Sequence, residues 1–194
     1  AGKKLEFGVS GLLYNSDLLM YDRQSDSLWS QVEGKAISGP VKGHILKRLV
    51  LEHTNWKDWK SRNPKTLVLS DKTGYWRDYD SSPYPTYKKS EAIYFPVSNT
   101  DKRYHPKEVM VGIEINGKVK AYPFAELAKG SGILEDVFED QKLLITYNSE
   151  ALSANVKNEH GKLIPSLTAF WFAWIAFHPK TAVYKYKDTL HKPK

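Results

Sequence analysis

The chain has 194 residues, of which 41% are hydrophobic and 13% aromatic, and this much apolar material excludes an intrinsically disordered protein. It contains no cysteine, which excludes disulfide bonds, thiolate catalysis and zinc–thiolate sites. Five lysines and one aspartate after residue 179 supply +4 of the net charge of +7, and the remainder is too weakly basic to indicate a nucleic-acid partner.

The first predicted elements form a meander between residues 7 and 31. Short apolar runs alternate there with segments rich in Asn, Asp and Ser, which favour turns because their side chains bond nearby backbone groups. The predicted strands are residues 12–14, 18–21 and 28–31, and the predicted turns are residues 15–17 and 23–27.

A short helix with two tryptophans is predicted next, between two strands. Thr54 is its predicted N-cap, the helix covers residues 56–62, and Pro64 ends it. The apolar runs at residues 45–51 and 67–69 predict strands, and the second of these is expected to be buried.

A long aromatic loop, residues 73–97, follows this helix. Seven aromatic side chains and three prolines occur in it without a regular period. A loop of this length is typically either functional or a cover for a core.

The clearest element is a β-hairpin over residues 109–122. Asn116-Gly117 separates two runs of alternating residues and is typical of a two-residue turn in which both residues have positive φ. The sequence then predicts a short helix at residues 124–129, a strand pair over residues 136–148, and an apolar helix over residues 169–177 that begins at Ser166 or Thr168.

An internal repeat connects the two tryptophan-bearing segments. Six residues recur at a constant spacing of 115: Trp56, Trp59, Pro64, Lys65, Thr66 and Val68 match Trp171, Trp174, Pro179, Lys180, Thr181 and Val183. The sequence therefore predicts an α+β, β-rich fold with two pseudo-repeated lobes of antiparallel sheet, each covered by a short Trp-bearing helix. The predicted lobes are residues 1–105, the tail of repeat unit one with the 73–97 loop, and residues 106–186, an abridged unit two, followed by a basic tail at residues 187–194.

Several segments resemble one protein family. GLLYNSDLLMYDR, SLWSQ, NPKTLVLS, VGIEINGKVKAYPF and FWFAWIAFHPKT are similar to a prokaryotic domain-of-unknown-function family numbered thirty-one seventy-nine. The resemblance implies that longer members carry a further hairpin and a Cys-containing strand before the position of Ala1. Members often carry export signals, which implies a periplasmic or cell-surface location. The function of the family is not established, so the resemblance gives architecture and little mechanism.

Candidate ligand-binding residues are polar or aromatic groups next to predicted turns. The candidates are Tyr14, Asn15, Asp22, Arg23, Trp29, Tyr75, Trp76, Arg77 and Asp78. Hydroxyl, amide and carboxylate–guanidinium groups bind polar ligands, and aromatic rings stack on sugars or bases, but turn formation and loop packing are the alternative interpretation of each. We find no nucleophile paired with a base and no metal-ligand spacing, so no catalytic residue, metal or cofactor is predicted.

Two classes of function remain. The first is a non-enzymatic binding or assembly module outside the cytoplasm, whose N-terminal edge, residues 4–9, pairs with another protein chain or a second copy through Phe7, Val9 and Leu12. The alternative is an enzyme or metal carrier with a polar site around Tyr14, Asp22, Arg23 and the 73–80 loop. A polyanion or a glycan is a further possible partner, no membrane span is predicted, and nucleic acid is not expected.

Overall fold

The computed structural model describes residues 4–187, and most of its regular structure is β-sheet. The basic tail predicted for residues 187–194 lies outside the described residues, apart from Lys187. The strands are β1 Phe7–Tyr14, β2 Asp17–Asp22, β3 Leu28–Ser30, β4 Lys35–Ser38, β5 Val109–Ile115, β6 Lys118–Pro123, β7 Ile133–Phe138, β8 Gln141–Asn148, β9 Ser153–Asn158, β10 Ser166–Phe170 and β11 Ala182–Val183. The helices are α1 Trp56–Arg62, α2 Phe124–Leu127 and α3 Trp171–Phe177, with one 3-10 turn at Tyr87–Lys89.

The first sheet is the predicted meander, with strand order β1-β2-β3-β4. Asn15 and Ser16 both have positive φ, so they form the tight turn between β1 and β2. The pairing of β1 with β2 shifts between Val9 and Leu13, where Gly11 adopts a φ of +75° that favours glycine. The first sheet therefore has a bulged outer strand.

The second sheet has the order β10-β5-β6-β11 and contains the predicted hairpin. Asn116 and Gly117 have φ values of 51° and 74°, as expected for a two-residue hairpin turn. Strand β11 runs parallel to β6, whereas the other neighbours in this sheet are antiparallel. The third sheet, β7-β8-β9, is fully antiparallel, and Glu139 and Asp140 turn the chain between its first two strands.

Two clusters of buried side chains form the core, and both lie in the second half of the chain. The larger one joins the second and third sheets: Val111, Ile113, Ile115, Tyr122, Phe124, Leu127, Leu143, Ile145, Ala154 and Val156. The smaller one joins the second sheet to α3: Met110, Ala121, Trp171, Trp174 and Ile175. No comparable cluster occurs in the described residues before 105.

Four predicted features are wrong. Residues 45–51 are not a strand but contribute one isolated bridge at Ile45, and residues 67–69 are neither paired nor buried. Asn55, not Thr54, caps α1, because its side chain accepts from the Asp58 amide. Ser166 and Thr168 lie in β10, and α3 begins only at Trp171.

The architecture is thus β-rich, with few short helices and three mostly antiparallel sheets. The first sheet is a sequential meander, whereas the second contains a hairpin flanked by two later strands, so the two sheets differ in topology. Among residues 4–187, no helix has the length and apolar character needed to cross a membrane.

Candidate interaction surface

Asp22 and Trp29 meet inside the first sheet. Asp22 is fully buried, and its carboxylate accepts hydrogen bonds from the Trp29 indole at 2.8 Å and from the Ser25 amide and hydroxyl at 2.6 and 2.7 Å. The bond from Trp29, followed by those from Ser25, holds the pKa of Asp22 below its ordinary value. These bonds join neighbouring strands across the turn that connects them, which is the geometry of a structural clamp.

Arg23 lies on the exposed rim beside this clamp. Its guanidinium is 5.5 Å from the centre of the Tyr21 ring, and its backbone amide donates to the carbonyl of Glu6. The side chain is exposed, so it could reach a ligand from the end of β2.

Tyr14 and Asn15 lie at the opposite end of the β1–β2 hairpin. The Tyr14 ring contacts Phe177 edge-on at 5.6 Å between centroids. The Asn15 side chain accepts from the Ser98 amide at 2.7 Å and donates to the carbonyl of Ala176. This turn is therefore a junction between the first sheet, the end of the aromatic loop and α3.

The 75–78 segment is separate from both groups. Tyr75 and Trp76 are 79% and 90% exposed. Asp78 closes a local turn by accepting from the Ser81 hydroxyl and from the amides of Asp80 and Ser81, which lowers its pKa. Within residues 4–187, no hydrogen bond or ion pair joins this segment to Tyr14, Asp22 or Arg23.

Lys107 holds the aromatic loop to the second half of the chain, a role that the sequence did not indicate. The residue is 4% exposed, and its ammonium donates to the Ala92 carbonyl at 2.7 Å. The same group lies 4.5 Å from the ring centres of Tyr87 and Phe172, and burial lowers its pKa. A single lysine in a loop carries no sequence signal of burial, because lysine is usually exposed.

Glu126 is a second buried charged group that the sequence did not single out. Its carboxylate accepts from the Tyr104 hydroxyl, the Lys129 and Lys185 ammonium groups and the Tyr186 amide. Burial alone would raise the pKa of Glu126, but the bonds from Lys129, Tyr186 and Tyr104 outweigh it and lower the pKa to about 2. Glu126 thus fixes the end of the described chain against α2.

Exposed large apolar side chains are concentrated in the first half of the chain. Of 23 such residues, 20 lie before position 105, and the other three are Ile133, Val137 and Leu152. We call the first group the N-terminal apolar surface; its most exposed members are Val9, Ile45, Leu49, Leu51, Leu67, Val68, Leu69, Tyr75, Trp76 and Tyr84. Exposed apolar side chains in this number are typical of interaction surfaces.

Comparison with known proteins gives one match. The model of a family described as "Protein of unknown function (DUF3179)" matches residues 1–164. Neither the curated proteins nor the solved structures contain a significant match to the chain. Among the described residues 4–187, no group of three or more His, Asp or Glu side chains is placed to hold a metal ion.

Proposed function

The chain belongs to the DUF3179 family, and we propose that it is a non-enzymatic binding module that assembles with a second copy through its N-terminal edge, outside the cytoplasm. The observation that carries this proposal is the N-terminal apolar surface. Leaving large apolar side chains in water is unfavourable by roughly 25 cal/mol per Å², so a partner that covers them gains free energy.

Strand β1 supplies the pairing edge. It is the outer strand of the first sheet and, within residues 4–187, pairs on one side only, with β2. Its side chains include Val9 and Leu12, which are 64% and 52% exposed. An outer strand with unpaired backbone groups and apolar side chains is a template for another strand.

A second copy suits this edge because strand pairing about a two-fold axis uses the same surface on both partners. The bulge between Val9 and Leu13 divides β1, and the proposed pairing edge, residues 4–9, lies before it and includes the regular part of the strand, residues 7–9. A separate protein chain could occupy the same edge instead. Self-association of the purified chain distinguishes the two partners, because only pairing with a second copy produces it.

The proposal includes two pseudo-repeated units, residues 1–105 and 106–186, and a periplasmic or cell-surface location. The recurring tryptophan helices support the repeat. The export signals expected from the family resemblance support the location, which signal-peptide mapping in the producing cell would test.

Sedimentation of matched variants tests the assembly. Val9→Asp adds a charge to the β1 edge, and we expect it to convert a self-associating chain to monomers. Val137→Asp is the control, because Val137 is 63% exposed on β7, away from this edge. It should leave association unchanged. A wild-type chain that stays monomeric at its highest soluble concentration, or equal effects of both variants, would overturn self-pairing at β1.

A glycan partner is the second candidate, favoured by the exposure of Tyr75 and Trp76. Two exposed rings next to Arg77 and Asp78 can stack on a sugar and hydrogen-bond its hydroxyls. Titration with oligosaccharides, followed by tryptophan fluorescence, should give saturable binding that Trp76→Ala abolishes. Unchanged fluorescence across a panel of neutral and acidic oligosaccharides would exclude this partner.

A further inference from the structure

The segment after α3 shows how a tryptophan helix organises a strand. The Trp174 indole donates to the Thr181 hydroxyl at 3.0 Å, the His178 amide donates to the Trp174 carbonyl, and the Thr181 amide donates to the His178 carbonyl. These bonds direct the next residues, β11, to pair in parallel with β6, and the Tyr184 amide continues the pairing to the Ala121 carbonyl.

The segment after α1 repeats these bonds one for one. The Trp59 indole donates to the Thr66 hydroxyl at 3.0 Å, the Asn63 amide to the Trp59 carbonyl, and the Thr66 amide to the Asn63 carbonyl. The residues that end the two helices also agree, with φ and ψ of −132° and 66° at Asn63 and of −126° and 60° at His178. The local backbone is therefore the same at both places.

The two segments differ in what covers them. Trp171 and Trp174 are buried under the β5–β6 hairpin, whereas Trp56 is 43% exposed and Trp59 is half-buried, with the Arg62 guanidinium 5.7 Å from its ring centre. Residues 67–69, which follow Thr66 as β11 follows Thr181, are 94%, 70% and 96% exposed. No backbone hydrogen bond involves residues 67–69 in the part of the chain that the structure describes.

We propose that α1 and residues 67–69 form a docking site for a β-hairpin of a partner polypeptide, bound as the β5–β6 hairpin is bound by α3 and β11. The second strand of that hairpin pairs in parallel with residues 67–69, and its first strand crosses the Trp59 ring. This site goes beyond the pairing at β1, because it uses α1 and residues 67–69 rather than β1, and either site can fail without the other.

The α3–β11 segment, which the β5–β6 hairpin covers, indicates the chemistry of the partner hairpin. A Cβ atom on Gly112 of β5 would lie 2.5 Å from ring atoms of Trp174, so only glycine fits where that strand crosses the ring. Met110 and Ala121 fill the space beside the ring. The partner hairpin accordingly has a glycine opposite Trp59, flanked by apolar side chains, and a two-residue turn of the Asn-Gly type.

A hairpin peptide tests the site on the full chain. The probe is a head-to-tail cyclised peptide with the sequence of residues 109–123, because cyclisation keeps an isolated hairpin folded. We expect its addition to slow amide hydrogen exchange at residues 67–69 and to leave exchange at residues 182–184 unchanged. The same peptide with Gly112→Val should give no protection, because the added side chain meets the Trp59 ring.

Variants of the chain complete the experiment. Val68→Asp places a charge at the pairing edge and should weaken peptide binding roughly tenfold or more. Val137→Asp, an exposed valine on β7, is the matched control and should bind as the wild type does. Val9→Asp should also bind normally, since β1 is not part of this site.

Three outcomes would overturn the proposal: no protection of residues 67–69, equal protection by the glycine and valine peptides, or protection that appears without peptide as the chain is concentrated. The last of these would assign the site to a second copy.

Discussion

The indole N–H of Trp29 donates a 2.8 Å hydrogen bond to the carboxylate of Asp22, and both side chains are buried. The Phe7 ring covers Trp29 edge-on at 5.7 Å between centroids. The first sheet contains no large core cluster among the described residues, and this polar contact is one of its internal anchors. Buried charges of this kind stabilise a fold only while every partner is present.

Replacing Asp22 with Asn should lower the melting temperature by several degrees at neutral pH. The pKa of Asp22 is lower in the folded chain than its ordinary value of 3.8, chiefly because of Trp29. The charged clamp therefore stabilises the fold above pH 3.8, and this contribution is lost as the pH falls below that value. Thermal unfolding between pH 7 and pH 3 should show a smaller loss for the variant than for the wild type. Asp71→Asn, at an exposed position, is the control, and parallel curves for Asp22→Asn and wild type would contradict the expectation.

Replacing Glu126 with Gln should destabilise the second half of the chain. The pKa of Glu126 falls from 4.5 to about 2 on folding, which corresponds to roughly 3 kcal/mol of stability. Because the folded-state pKa is lowered, this stability is fully present above pH 4.5 and is lost as the pH falls towards 2. Urea unfolding at pH 7 and pH 3 measures it. The difference in the free energy of unfolding between wild type and variant should be smaller at pH 3 than at pH 7. An equal difference at both pH values would show that the charge of Glu126 does not contribute to stability.

Adding one methyl group at Gly112 should lower the free energy of unfolding. Its Cβ would lie 2.5 Å from the ring of Trp174, which is 1% exposed and cannot move aside, so Gly112→Ala should lose about 1 to 3 kcal/mol or more in urea unfolding. Gly130→Ala is the matched control, because its Cβ would only touch Tyr186 at 3.4 Å. The free energy of unfolding of that control should stay within about 0.5 kcal/mol of the wild-type value. Similar losses for the two variants would mean that the contact with Trp174 relaxes freely.

The two Trp–Thr hydrogen bonds should differ in energy although their lengths are equal. Thr181→Val leaves the buried Trp174 indole without an acceptor and should cost about 1 to 3 kcal/mol. Thr66→Val frees the Trp59 indole at an exposed site, where water replaces the lost acceptor, so the cost should be below about 0.5 kcal/mol. Differential scanning calorimetry of both variants measures the contrast. Equal costs would argue that Trp59 is covered by another part of the protein in solution.

The sequence predicted those elements whose signal is local. Asn116-Gly117 needs only its own φ values to form a turn, and the β7–β8 pair turns at Glu139-Asp140 for the same reason. The first two meander strands were predicted too short, since pairing with β2 extends β1 back to Phe7, and the third was predicted one residue too long. The family resemblance is confirmed by the match over residues 1–164.

The wrong predictions concern segments whose structure depends on residues that are distant in the sequence. Residues 67–69 have the composition of a buried strand, but the described chain places no neighbouring strand beside them. Ser166 and Thr168 have the side chains of an N-cap, yet pairing with β5 draws them into β10. At the candidate site, proximity in sequence did not predict proximity in space: Tyr14 and Asp22 lie at opposite ends of the β1–β2 hairpin, paired with Asp17 and Phe7, respectively.

The position of the core in the chain also sets an order of events during synthesis. Every buried member of both core clusters lies at Met110 or later, whereas the exposed apolar groups come mainly before residue 105. The exposed apolar groups before residue 105 therefore leave the ribosome before the residues that form either cluster. We expect this part of the nascent chain to depend on chaperones until residues 110–177 have been made, and ribosome-bound chains halted before residue 110 to be far more sensitive to protease than chains halted after α3.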